Sequence, residues 1–231
     1  QAEDGIRDIG VTGSSDVCSS DLILGKTSSF DALTLTDHLV NQDNCARFIV
    51  ERLWFRFVSS STPIPSDGSL QNAFAQREIA PLITSLARHP EFANPTHSQV
   101  KSPLDWCLSA LRALNLGPQS LPNPDQLINL LDSMGQKPFF PPNVGGWPAD
   151  EAWLSTASAQ TRISLAQILV KYGDLSPIES VQRNSRIDAL ADWLGIAQWS
   201  DRTKSTLSGV TNDPTRLALL GLCSPEYVVN A

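Results

Sequence analysis

The side chains with most chemical potential in this 231-residue chain are few, and their spacing excludes more reactions than it suggests. His38, His89 and His97 fall in no His-Glu-x-x-His run and in no i,i+4 pair, the spacing that sets two imidazoles on one helical face around zinc. His89, directly before Pro90, reads as helix-end chemistry. Asp150 and Glu151 stand beside Trp153 and could form a carboxylate pair for glycoside hydrolysis, but adjacent acids at a helix start ordinarily complement the helix dipole. Arg47, Arg52 and Arg56 could gather an anion; their spacing instead spreads them around one helix, where Glu51 offers Arg47 a partner at i,i+4. A Gly-x-Ser-x-Gly elbow, a phosphate-cradling glycine-rich loop before Lys-Ser or Lys-Thr, and a dinucleotide fingerprint are all missing from the sequence. No metal and no cofactor is indicated. Cys45, Cys107 and Cys223 lie far apart inside apolar helical stretches, which predicts buried thiols rather than metal ligands or a disulfide framework.

The most unusual stretch is residues 136–154, where prolines, the Gly145-Gly146 pair, Phe139, Phe140, Trp147 and Trp153 are concentrated. Proline fixes its own φ and glycine allows close approach and positive φ, so this loop is built to hold one shape. Two uses are open. The four aromatic rings could plug gaps between helices, with indole N–H groups bonded to nearby carbonyls. Alternatively, Trp147 and Trp153 could line a cleft that stacks a sugar ring or a partner's proline, with Lys101 or Arg162 supplying a polar contact.

The elements that must position these residues are helices. Ala46, Ile49, Val50, Leu53 and Phe57 share one face of a helix between Asp43 and Ser59, while Phe48 and Phe55 form a second apolar strip among charged neighbours. A helix apolar on two sides is central in its domain or covered by something this chain lacks. After the loop at 59–69, Ile79, Leu82, Ile83 and Leu86 resume the helical period up to His89-Pro90. Ser102-Pro103 opens the next helix, with Leu104, Cys107, Leu108 and Leu111 as its stripe and Gly117 as its stop. Asn123-Pro124 repeats the signal, with Leu127, Leu130, Leu131 and Met134 before Gly135. Further helices are predicted from about Ala157 to Lys171 through Ile163, Ala166, Leu169 and Val170, from Ser185 to Gly195, after Asp201, and from Asp213-Pro214 through Leu217, Leu220 and Gly221. No alternating strand pattern stands out. The fold class expected is all-α: a compact multi-helix array with long ordered Pro/Gly loops.

Composition agrees with a globular body: 41% of residues are apolar and 18% charged. Residues 1–22 carry five acids against Arg7 and supply −4 of the formal charge of −7. A weakly acidic remainder without a run of Lys or Arg lacks the footprint of nucleic-acid binding, and no stretch approaches the ~20 apolar residues of a spanning helix. Residues 1–22 contain the near-repeat SSDVCSSD, show no helical or strand period and resemble translated sequencing adapter; the alternative is a native tail. Either way they are set aside as a leader, with Cys18, and residues 23–231 are taken as the folding unit.

Four blocks of that unit, CARFIVERLWFRFV at 45–58, VKSPLDWCLSALRAL at 100–114, GQKPFFPPNVGGWPADEAWLSTASAQTRISLAQIL at 135–169 and SPEY at 224–227, resemble in order and spacing the bacterial family called domain of unknown function 1800 (DUF1800). The Pro-Pro-Asn-Val-Gly-Gly-Trp-Pro run is specific by itself. Members of that family are usually about twice as long, so the resemblance implies the C-terminal half of a helical domain whose N-terminal half is missing, and a bacterial, extracytoplasmic protein. A partner for Phe48 and Phe55 would then be the missing half. The resemblance supplies no activity. With many helix signals and no catalytic constellation, the expected function is a helical scaffold or interaction module of an exported protein; the rival is a fragment of a hydrolase acting on envelope or extracellular polymer, with reactive groups partly in the other half.

Overall fold

The computed structural model describes residues 21–94 and 97–230, so the leader expectation for residues 1–20, Cys18 included, lies outside the described residues. The chain enters through a hairpin, β1 (Asp21–Ile23) paired antiparallel with β2 (Lys26–Ser28), turning at Leu24-Gly25, both at positive φ. This strand pair departs from the strand-free expectation and straddles the boundary drawn at residue 22. Helices follow: α1 (Ala32–Val40), α2 (Cys45–Phe57), α3 (Ser69–Ala73) and α4 (Ile79–Arg88). The two-residue strand β3 (Gln99–Val100) leads into α5 (Pro103–Ala113), α6 (Pro124–Ser133), α7 (Thr156–Tyr172) and the short α8 (Ser176–Glu179). The remainder is α9 (Arg186–Leu194), α10 (Asp201–Ser208), α11 (Pro214–Leu222), α12 (Pro225–Val228) and β4 (Val229–Asn230), which returns to pair antiparallel with β3. The array is predominantly helical with minor strand content.

Apolar burial divides into two clusters. The larger gathers Trp106, Cys107, Ala110, Leu114, Leu131, Leu165, Ala166, Leu169, Leu190, Leu217 and Tyr227 between α5, α6, α7, α9, α11 and α12. The smaller holds Val50, Trp54, Val58, Leu70, Phe74, Leu82 and Leu86 between α2, α3 and α4. Gly221 sets the closeness of α11 to α9: a Cβ there would lie 2.8 Å from Leu190 Cδ2. Large aromatics earn their burial by satisfying their polar atoms. The indole N–H of Trp106 donates to the Leu222 carbonyl at 3.0 Å, that of Trp199 to Ile187 at 3.0 Å, that of Trp54 to Thr62 at 2.8 Å and that of Trp193 to Ala113 at 2.8 Å.

Most helix starts follow the sequence signals. Ser102, Asn123, Ser155 and Asp213 each accept a backbone N–H from the first turn of the helix they open, and Gly135 and Gly195 close α6 and α9 at positive φ. Corrections concern the phase of single residues. Phe57 is 51% exposed, because α2 buries Val50 and Trp54 instead. Leu108, Ile163, Ile79 and Ile83 also point outward, while their helices bury Trp106, Ala166, Leu82 and Leu86. Asn115, not Gly117, takes the left-handed position after α5, and Ser200 rather than Asp201 caps α10.

Candidate functional site

The Pro/Gly loop between α6 and α7 is anchored at both ends. Gln136, nearly buried, accepts the Leu104 N–H at 2.8 Å and so serves the first turn of α5. Asn143 Oδ1 accepts the Gly145 N–H at 2.8 Å, an Asx-type turn, and Gly146 follows at φ 90°. At the far end Asp150 adopts φ 56°, and its carboxylate accepts the Val100 N–H at 2.9 Å with one oxygen and the Ser60 hydroxyl with the other. Asp150 therefore ties together the end of the loop, the segment after α2 and strand β3. Asp150 and Glu151 do stand in the first turn of a helical element, a single 3-10 turn, Asp150–Trp153, but the Asp150 carboxylate acts across the chain on Val100 and Ser60.

Between those anchors the loop projects. Phe139, at φ 67°, is 93% exposed, Phe140 is 68% exposed, and Val144 stands fully in solvent. The ammonium of Lys137 sits 5.1 Å from the Phe140 ring centroid and 3.7 Å from the Asp132 carboxylate. Of the four rings expected as plugs, Phe139 and Phe140 therefore do not pack inward, because the left-handed turn at Phe139 between two proline-fixed segments carries both side chains out.

The four residues singled out as a cleft sit as follows. Trp153 is 3% exposed and packs beside Gly135, with no open ring face for stacking. Trp147 is half-buried, its indole N–H shielded from solvent and without an acceptor among the described residues. Lys101 is half-buried with its ammonium 3.9 Å from the Tyr227 ring centroid, a cation–π contact; burial lowers its pKa, and Asp105 works the other way. Arg162 is 3% exposed and donates from Nη1 to the Trp153 carbonyl at 3.1 Å, while Nε and Nη2 have no hydrogen-bond partner among the described residues. The structure thus joins Arg162 to Trp153 through the backbone and Lys101 to Tyr227.

Burial of Arg162 lowers its pKa, with Cys223 opposing. Burial also pushes the Cys223 thiol up to about 11 against the lowering influence of Arg162, and pushes Cys107 up to about 12, so both are neutral thiols near pH 7. Cys107 is buried, whereas Cys45 and Cys223 are half-buried, and all three are free thiols. Arg47 pairs with Glu51 at 2.7 Å as the spacing predicts. Arg56 reaches Asp105 at 3.4 Å.

Two features escaped the sequence reading. His97, six residues after Glu91 and in no helical i,i+3 or i,i+4 register with it, bonds Glu91 at 2.7 Å in the turn after α4, where Asn94 also donates to Glu91 and His89 Nδ1 accepts the Glu91 N–H. A groove of about 700 Å³ runs between α10, α11 and α12, lined by Thr203, Leu207, Leu220, Cys223, Glu226 and Val229 among others. Its walls come from three consecutive helices, and it arises from how they pack on one another, which no residue spacing in the sequence marks. Among the described residues, no group of three or more His, Cys, Asp or Glu side chains is placed to hold a metal ion, and no helix is long and apolar enough to cross a membrane.

No curated protein and no solved structure matches the chain. One family model, described as "Protein of unknown function (DUF1800)", matches residues 17–229, beginning inside the segment set aside as a leader. That span takes in α1–α12 and the projecting loop, and the chain accordingly belongs to the DUF1800 family.

Proposed function

We propose that this chain is a noncatalytic helical interaction module of an exported bacterial protein, and that α2 presents its second apolar strip to another body of the same family domain. The observation that carries the reading is the exposure of Phe48 at 53% and Phe55 at 41% on a helix whose opposite side is fully committed to Val50 and Trp54. Arg52 lies over the Phe48 ring at 5.2 Å, which shields one face and leaves the rest wet. Covering the open half of two phenylalanines would contribute roughly 4–5 kcal/mol at ~25 cal/mol per Å². The α2–α4 cluster, the smaller of the two, gains most from such a cover.

The test uses the chain with an environment-sensitive hydrophobic dye and analytical ultracentrifugation. Dye binding and self-association are expected, both reduced by Phe48→Ser with Phe55→Ser. A monodisperse monomer that binds no dye would overturn the reading, as would reproducible turnover of an envelope or extracellular polymer that a single groove substitution abolishes.

A further inference from the structure

Two buried polar side chains of α7 lie one turn apart, and both hold donors without acceptors. Arg162 is 3% exposed and Ser158 2%. Residues four apart share a helical face, with Cβ atoms roughly 5–6 Å from each other, and helical side chains lean toward the N-terminus. Arg162 follows that lean. Its Nη1 reaches the Trp153 carbonyl at 3.1 Å, ahead of the first residue of α7, which carries the guanidinium back over the turn of Ser158. Ser158 gives its backbone N–H to the Ser155 hydroxyl at 3.1 Å, but its own Oγ, like Arg162 Nε and Nη2, has no hydrogen-bond partner among the described residues.

The identity of the two free nitrogens points to the ligand. Nε and Nη2 form the lateral edge of the guanidinium, whose two N–H bonds point the same way and match the paired oxygens of a carboxylate. A guanidinium does not give up its proton in a protein, so the buried group keeps its charge. No carboxylate pairs with Arg162 among the described residues. A water molecule would satisfy the donors and leave the charge uncompensated, whereas an anion answers both. Ser158 also stands in the first turn of the 17-residue α7, the positive end of its dipole, which favours a negative group.

We propose that Arg162 and Ser158 hold the carboxylate of a small free acid, its two oxygens on the Nε–Nη2 edge and the Ser158 hydroxyl donating to one of them. Burial sets the size: both side chains are enclosed, so the occupant is a one- or two-carbon acid and not a long or aromatic one. The inference stands apart from the α2 interaction proposed above, since it uses no residue of that helix.

The test replaces chloride by formate at constant ionic strength and reads the thermal midpoint, with an NMR titration of isotope-labelled formate giving affinity and stoichiometry. At about ten times its dissociation constant, formate should raise the midpoint by roughly 3–6 °C, and acetate should do likewise, while benzoate leaves it within about 1 °C. Arg162→Met, which keeps the length and removes the charge, should abolish the formate shift. Arg162→Lys keeps the charge without the fork and should weaken formate binding at least fivefold. A midpoint indifferent to formate, as water alone in the site would give, an equal response to benzoate, or a formate shift that survives Arg162→Met would each overturn the proposal. Should the methionine variant fail to fold, Ser158→Ala decides: labelled formate is expected to bind the parent at one per chain and the alanine variant at least fivefold more weakly, and equal affinity for the two overturns the assignment.

Discussion

Replacing Asp150 should loosen the smaller α2–α4 cluster from the rest of the molecule, and the size of the effect follows from the contacts. Its carboxylate accepts the Val100 N–H at 2.9 Å and the Ser60 hydroxyl, spanning two segments that otherwise touch through few polar contacts, such as the Gln99 amide to the Phe55 carbonyl at 3.2 Å. Hydrogen bonds to a charged acceptor contribute roughly 1.5–3 kcal/mol each when buried, and the half-buried setting takes the lower end. Asp150→Ala should therefore cost about 3 kcal/mol. Asp150→Gly loses the same bonds but relieves the φ of 56°, worth about 1 kcal/mol, so about 2 kcal/mol remains lost. Asp150→Asn keeps an oxygen for the Val100 N–H and tolerates the left-handed backbone; its cost should be about 1 kcal/mol. For a chain of this size the alanine variant should melt roughly 6–12 °C lower. Urea denaturation supplies the ranking, and hydrogen exchange should show α2–α4 losing protection before α5, α7 and α11. An alanine variant within about 0.5 kcal/mol of the parent, or asparagine as damaging as alanine, would refute the reasoning.

Gly221→Ala should cost about 2 kcal/mol, because the added Cβ meets Leu190 Cδ2 at 2.8 Å and Leu194 Cδ1 at 3.0 Å; a thermal midpoint unchanged from the parent would show that α9 and α11 separate freely. The Glu91 carboxylate is held below its ordinary pKa by hydrogen bonds from Asn94 and then His97. Because its pKa is depressed in the folded chain, the stability it contributes is present above the ordinary carboxylate value and is lost as pH falls through the lowered one. Glu91→Gln should therefore flatten the acid limb of a stability-versus-pH curve; an acid limb identical to the parent would remove Glu91 from the account.

Helix starts were legible because they depend on nearest neighbours. Ser102-Pro103, Asn123-Pro124 and Asp213-Pro214 each combine an acceptor for the first-turn N–H with a residue that needs no hydrogen bond there, and all three open helices. Which face a helix buries was harder to read, since it depends on what lies across from it. In α2 both Phe57 and Trp54 satisfy an apolar period, and only the positions of α3 and α4, with the Thr62 carbonyl waiting for the indole N–H, decide in favour of Trp54.

The same distinction governs the functional residues. The Pro/Gly loop was recognisable as a rigid element from its composition, but its rigidity says nothing of direction: the backbone turn at Phe139 sends Phe139 and Phe140 outward, while Trp153 in the following turn goes in. Asp150 looked like a helix-start carboxylate because its sequence neighbours are a proline-alanine step and another acid, whereas its partners, Ser60 and Val100, are remote along the chain. Arg162 sits in mid-helix with ordinary neighbours, and the packing of α7 against α11 and the Trp153 turn leaves its guanidinium buried without a carboxylate partner among the described residues. A charge kept in that position costs stability unless something offsets it.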